Sequence, residues 1–170
     1  MGIKLEIGGR TITSIHTRDG WCGQLDRLRR WHDRLHWLRS HRGDDYLSWE
    51  DVDFVLAVLQ NCCILREWLV RDGAVGEALI GDFVSSHPEL RVCRDIANGT
   101  KHFSVSRPSV DAEFSILQEY VPAPVGGGEA GRRFVVIAGD KYDMLALADR
   151  CVHLWERFIS EHSLVATIAS

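Results

Sequence analysis

WEDVDFVLAVLQNCCILREWLVR, residues Trp49 to Arg71, is the stretch that decides how this chain folds. Asp53, Gln60 and Glu67 recur every seven positions, so on a helix they form one narrow polar stripe. Almost everything else is apolar: Phe54, Val55, Leu56, Val58, Leu59, Cys62, Cys63, Ile64, Leu65, Trp68 and Leu69. A helix that is apolar on most sides belongs at the centre of a bundle. Ser48 is the expected cap, Glu50 and Asp51 suit the first turn, and Asp72-Gly73 is the expected stop. Arg66 falls away from the polar stripe and is expected to reach an acid partner, or the surface by its long stem.

On the N-terminal side, Leu25, Leu28, Trp31, Leu35 and Leu38 step by three and four, which predicts a helix over Trp21 to His41. Ahead of it, Ile3, Leu5 and Ile7 alternate, Gly8-Gly9 turns the chain, and Thr11 to Ile15 follows. This is a hairpin pattern over residues 3–16. On the other side, Ala74 to Val84 reads as a short helix. Ser86-His87-Pro88-Glu89 starts a further one, with Leu90, Cys93 and Ala97 on its buried side and Asn98-Gly99 as its stop.

The period then changes to two. Phe103 to Ser106, Ala112 to Val121 and Arg132 to Ala138 read as strands, and Pro122 to Gly131 as a loop. Asp140, with Asp143 behind it, is the expected cap of a last helix over 140–162. Leu145, Ala148, Val152, Trp155 and Ile159 carry the apolar face of that helix. The expected class is mainly α (α+β): a helical bundle with a small antiparallel β-sheet inserted before the last helix. One domain over 1–170 would hold the hairpin, a helical part over 21–102, a β insertion over 103–138 and the C-terminal helix.

The chain has 170 residues and a formal charge of -4, which excludes a uniformly basic nucleic-acid coat. The total conceals an asymmetry. Met1 to Gly43 holds nine basic and four acidic residues, net +5. Asp44 to Ser170 holds eleven and twenty, net -9. Within the basic part Arg27, Arg30 and Arg34 align on one helix face and could track a phosphate backbone, or pack against the acidic remainder. The most apolar segment, Val52 to Val70, carries Asp53, Arg66 and Glu67, so no membrane span is expected. No signal-peptide pattern opens the chain. Five cysteines without a CxxC argue against a disulfide framework or a cysteine zinc site, and a reducing cytoplasm is expected.

The segment richest in chemistry is Arg91 to His102. Arg91, Arg94 and Asn98 step by three and four and are expected to project together, with Asp95 beside them and Lys101 and His102 at the exit. Arginine and lysine suit a phosphate, and histidine moves protons near neutrality. That inventory is adequate for cleaving RNA without a metal. The same residues also suit helix capping and ion pairing.

The order of a central helix, a short helix and then Arg94-Asp95-Ile96-Ala97-Asn98-Gly99-Thr100-Lys101-His102 resembles bacterial helical proteins of the HEPN type. The resemblance implies a helical bundle, a homodimer, and in many members RNase activity in defence or toxin–antitoxin systems. Arg94 would match the family's arginine, Asp95 its polar residue and His102 its histidine. Seven residues lie between Arg94 and His102, a longer spacer than the family's. The expected function is RNA binding or metal-independent RNA cleavage. Arg94 and His102 would be catalytic, and Arg91, Asn98, Lys101, Arg27, Arg30 and Arg34 would bind substrate. The alternative is a non-catalytic, dimeric module that holds a partner protein. No cofactor is expected. His32 and His36 share a helix face and could bind one metal ion, but no cysteine pair or HExxH accompanies them, and no metal site is assigned.

Overall fold

The structure, a computed structural model, describes residues 3–7, 10–14, 20–42, 49–102, 105–122 and 129–164. Strands β1 (Ile3–Ile7) and β2 (Arg10–Ser14) form an antiparallel hairpin, with Ile3 opposite Ser14 and Ile7 opposite Arg10. Among the described residues this hairpin is a separate two-stranded sheet. Four helices follow: α1 (Gly20–Arg42), α2 (Trp49–Arg71), α3 (Glu77–Ser86) and α4 (Pro88–Lys101). A three-stranded antiparallel sheet comes next, in the order β3 (Phe114–Pro122), β4 (Glu129–Ile137) and β5 (Asp140–Asp143). Helix α5 (Met144–Glu161) completes the described elements. The expected class, a helical bundle with an antiparallel sheet before the last helix, is what the structure shows.

Helix α2 lies at the centre and packs against α1, α3, α4 and α5. Val58, Leu59, Leu65 and Leu69 on it are wholly buried. Each such side chain is worth about 1.5–3 kcal/mol of hydrophobic burial, which is why an apolar surface this wide draws in helices from several sides. Leu25, Leu28, Leu35 and Leu38 of α1 are buried as their spacing predicts, and Trp31 is half-buried against Phe54. A buried polar pair fixes the α1–α2 register: Gln24 Nε2 donates to Asn61 Oδ1 at 2.9 Å, and Asn61 donates to the Ala57 carbonyl at 2.7 Å. The backbone N–H of Trp21, at the start of α1, donates to Asp72 just beyond α2 at 2.6 Å. The carboxylate comes so close to Gly20 that a Cβ there would meet it at 2.1 Å, and φ at Gly20 is +57°. Glycine is required at this corner.

Several boundaries differ from the sequence reading. Helix α4 runs through Asn98-Gly99 to Lys101 instead of stopping there. Gly99 serves packing, because a Cβ at that position would lie 2.7 Å from the Phe114 ring. Helix α3 begins at Glu77, not Ala74. Val105 and Ser106 are not in a strand; Phe103 and Ser104, like the expected cap Ser48, lie outside the described residues. Strands β3 and β4 extend into the expected loop, pairing Pro122 with Glu129. Asp140 does not cap the last helix. It opens β5, which pairs with the end of β4 across the turn at Ala138-Gly139. Asp143 is the cap instead, accepting from the N–H groups of Leu145 and Ala146 at 3.0 and 2.9 Å. The sheet contributes Val135 and Ile137 to the core through β4, where they meet α5. Among the described residues no helix is long and apolar enough to cross a membrane.

Candidate anion-binding site

Helices α2, α3 and α4 and the segment after α4 enclose a cavity of about 280 Å³. Its lining is Arg66, Arg91, Arg94, Ser85, Ser109, Gly81 and Val84. Three arginines and two serines therefore line it among the described residues, and no acidic residue does. A smaller cavity of about 50 Å³ adjoins it and shares Arg66, Arg94 and Val84. Asn98, Glu67, Trp155 and the thiol-bearing Cys62, Cys63 and Cys93 also line it.

The geometry of α4 explains how the arginines arrive. Arg91 and Arg94 are one turn apart, and both are half-buried. Arg91 Nη2 donates to the Ser109 carbonyl at 2.7 Å, and Arg94 Nη1 donates to the Ser109 hydroxyl at 3.0 Å. Between them in use, though not in sequence, stands Asp95, which is 1% exposed. Its carboxylate accepts from the backbone N–H of Ser109 at 2.8 Å, of Val110 at 2.5 Å and of Asp111 at 3.2 Å. Consecutive N–H groups pointing at one buried carboxylate amount to a strong, charge-assisted clamp. The segment over 109–111 is thereby held against α4 and closes one wall of the cavity.

Arg66 arrives from α2, and among the described residues no acid pairs with it, contrary to one of the two expectations for it. Its Nε is buried without a hydrogen-bond acceptor among the described residues, as is Nε1 of Trp155. Both groups line the smaller cavity. Buried polar groups are nearly always satisfied, so two orphan donors in one place call for an acceptor. The arrangement suits an anion with several oxygens, of which phosphate is the best match for guanidinium forks.

The remaining sequence candidates fall in different places. Asn98 is half-buried and lines the smaller cavity with Arg94. Lys101 and His102 are exposed at the end of α4 and line neither cavity; the His102 N–H donates to the Asn98 carbonyl at 2.8 Å. On α1, Arg27, Arg30 and Arg34 are exposed. Arg29, next to them in sequence, pairs with Glu156 at 3.0 Å, whereas the guanidinium of Arg34 lies over the Trp31 ring at 5.1 Å. Arg66 and Ser109 were missed as site residues. The signal for Arg66 was present, a cation off the polar stripe of an apolar helix. Ser109 had none, because only the Asp95 clamp brings it in.

A second polar cluster joins α1 to α5. His32 Nε2 lies 2.8 Å from Asp149 Oδ1, and His36 Nε2 lies 3.0 Å from that same oxygen. The two imidazole nitrogens are 3.0 Å apart. Partial burial pushes the Asp149 carboxyl upward, but the hydrogen bond from His32 and the charges of His36, His32 and Arg39 outweigh it, so it titrates below its usual range. In the bundle centre Cys62, Cys93 and Cys151 are buried, and none of the five cysteines forms a disulfide. Burial, above all, pushes the Cys62 thiol up. Hydrogen bonding with Cys151, then Cys62 and Cys63, together with burial, pushes Cys93 well up. Cys62 and Cys93 are thereby held in the protonated thiol form within the core.

No protein-family model, no curated protein and no solved structure matches this chain.

Proposed function

We propose that this protein binds RNA, with Arg66, Arg91 and Arg94 seating a backbone phosphate. The observation that carries the reading is the carboxylate-free cavity lined by these three arginines, with Arg66 Nε lacking an acceptor. Arg27, Arg30 and Arg34, exposed on α1, would take further phosphates. In the HEPN-like form of the proposal the protein also cleaves RNA without a metal, as part of a bacterial defence or toxin–antitoxin type system. Arg94 would stabilise charge on the phosphate, and His102, exposed at the end of α4, would act as acid or base. Lys101 and Asn98 would assist binding. A homodimer would bring two copies of the site together, and the five free thiols suit a reducing cytoplasm.

The test is binding of labelled single-stranded RNA, followed by fluorescence anisotropy over a salt series. Affinity should fall linearly with salt on logarithmic axes. Arg66→Ala should weaken binding across sequences and reduce the slope by about 1. Because the Arg66 Nε has no acceptor among the described residues, its loss should leave the thermal melt nearly unchanged. Salt-independent binding, or full affinity in Arg66→Ala, overturns the phosphate site. For cleavage, the assay is run with a chelator present: His102→Ala should abolish it, and undiminished cleavage removes His102 from the mechanism.

A second reading, a non-catalytic interaction module, draws support from β3. It lies at the edge of its sheet and exposes Leu117 and Tyr120. An edge strand offers a row of backbone donors and acceptors to an added strand. A stoichiometric partner that co-purifies, in a protein that does not bind RNA, would favour this reading.

A further inference from the structure

We propose that His32, His36 and Asp149 form a binding site for one first-row divalent transition-metal ion such as Zn²⁺. The two histidines are four apart on α1 and so present their rings on one side of the helix. Asp149 comes from α5, beside the β-sheet in sequence and far from α1 in the chain, and only the packing of α5 on α1 brings it in. The three ligand atoms make a nearly equilateral triangle with sides of 2.8, 3.0 and 3.0 Å. An ion about 2.0–2.1 Å from each atom would stand just above the plane of that triangle. Tetrahedral geometry at those bond lengths needs sides of about 3.3 Å, a widening of a few tenths of an ångström.

Proton accounting shows why a cation fits better than hydrogen bonds. A neutral imidazole carries at most one proton on Nε2, and an ionised carboxylate carries none. If both Nε2 atoms are protonated, both can donate to Asp149, but two N–H donors then face each other at 3.0 Å. If only one is protonated, the bare nitrogen of the other turns its lone pair towards the carboxylate at 2.8 or 3.0 Å. Every neutral tautomer leaves one contact repulsive. A cation meets three lone pairs at once and makes all three contacts favourable.

The surroundings agree with a metal that keeps an open position. The side chain of His32 is 14% exposed, that of Asp149 31% and that of His36 47%, so the cluster is anchored on one side and open to solvent on the other. Three protein ligands and a solvent-facing fourth position is the pattern of zinc sites that take a water or a ligand oxygen. Two imidazoles and one carboxylate favour first-row transition metals over Mg²⁺, which prefers oxygen alone. His153 adds its ring edge-on to His32, with centroids 6.3 Å apart. Its Nδ1 lies 2.8 Å from the Asp149 carbonyl, and this buttresses the same turn of α5. Bound metal would staple α1 to α5, away from the proposed phosphate cavity between α2, α3 and α4.

Tag-free full-length protein is titrated calorimetrically with Zn²⁺, and with Co²⁺ while visible absorption is followed. The expected result is one ion per chain, a Co²⁺ spectrum of four- or five-coordinate type, a rise in melting temperature with Zn²⁺, and no such response to Mg²⁺. His36→Ala, at an exposed position, and Asp149→Asn should each weaken Zn²⁺ binding by at least the roughly 10–100-fold that even outer-shell changes cost. His41→Ala, on the same helix but outside the cluster, should bind as the parent does. The proposal is overturned if Zn²⁺ does not saturate at one ion per chain, if His36→Ala and Asp149→Asn bind like the parent, or if His41→Ala loses as much. Circular dichroism of each variant distinguishes loss of a ligand from loss of the fold.

Discussion

Helices α1 and α4 carry arginines at the same helical spacing and use them in opposite ways. On α4, Arg91 and Arg94 both donate to Ser109, and Asp95, next after Arg94, clamps three backbone N–H groups of the following segment. Charge there holds the chain together and, in doing so, shapes a cavity. On α1, Arg27, Arg30 and Arg34 stand exposed, while Arg29 reaches across to Glu156 on α5. Charge there is left for whatever approaches from outside. The contrast teaches that spacing places arginines on a face, while the partner elsewhere in the fold decides whether the face is structural or available.

The comparison can be broken most decisively at Asp95. Asp95→Ala leaves the N–H groups of the 109–111 segment without their acceptor, and should cost about 3 kcal/mol in urea unfolding. It should also abolish the cavity and so weaken RNA binding. A loss under about 1 kcal/mol would mean that the clamp is not what holds this segment. Arg91→Ala removes one charge-assisted bond to a carbonyl and should cost about 1–2 kcal/mol by the same measurement. The smallest stability effect is expected on the other helix. The triple change Arg27→Ala, Arg30→Ala and Arg34→Ala should stay within about 0.5 kcal/mol per exposed site, since among the described residues no carboxylate pairs with them. Its effect should appear in the salt slope of RNA binding, which falls by about 2 if three phosphates of a single strand are released. An unchanged slope would reduce the α1 face to a solvated surface and end the contrast.

Much of the fold was legible because burial leaves a period. The stripe of α1, the almost wholly apolar α2, the buried side of α4 and the apolar face of α5 each followed from spacing, and most of the residues named are buried, with Trp31, Phe54, Leu56, Cys63, Ile64, Trp68 and Ile159 half-buried. The errors fell where a distant contact overrides a local signal. Gly99 reads as a helix stop, yet the Phe114 ring takes the space a side chain would need, and the helix continues past it. Asp140 reads as a cap, yet β4 has an unpaired side, and the residues 140–143 pair with it before Asp143 caps α5. Arg66 reads as a cation in search of an acid, yet it faces two further arginines.

By itself the sequence determined the helices, their inward faces, the change to strands before the last helix and the absence of a cysteine framework. Each of these depends on neighbours a few residues apart along the chain. Tertiary structure alone decided which polar groups meet. Asp95 finds Ser109, Arg66 joins Arg91 and Arg94, and Asp149 meets His32 and His36 because separate helices pack side by side. Periodicity records which side of a helix is buried, but it carries no record of what lies opposite the polar residues, and the chemistry of this protein rests on those pairings.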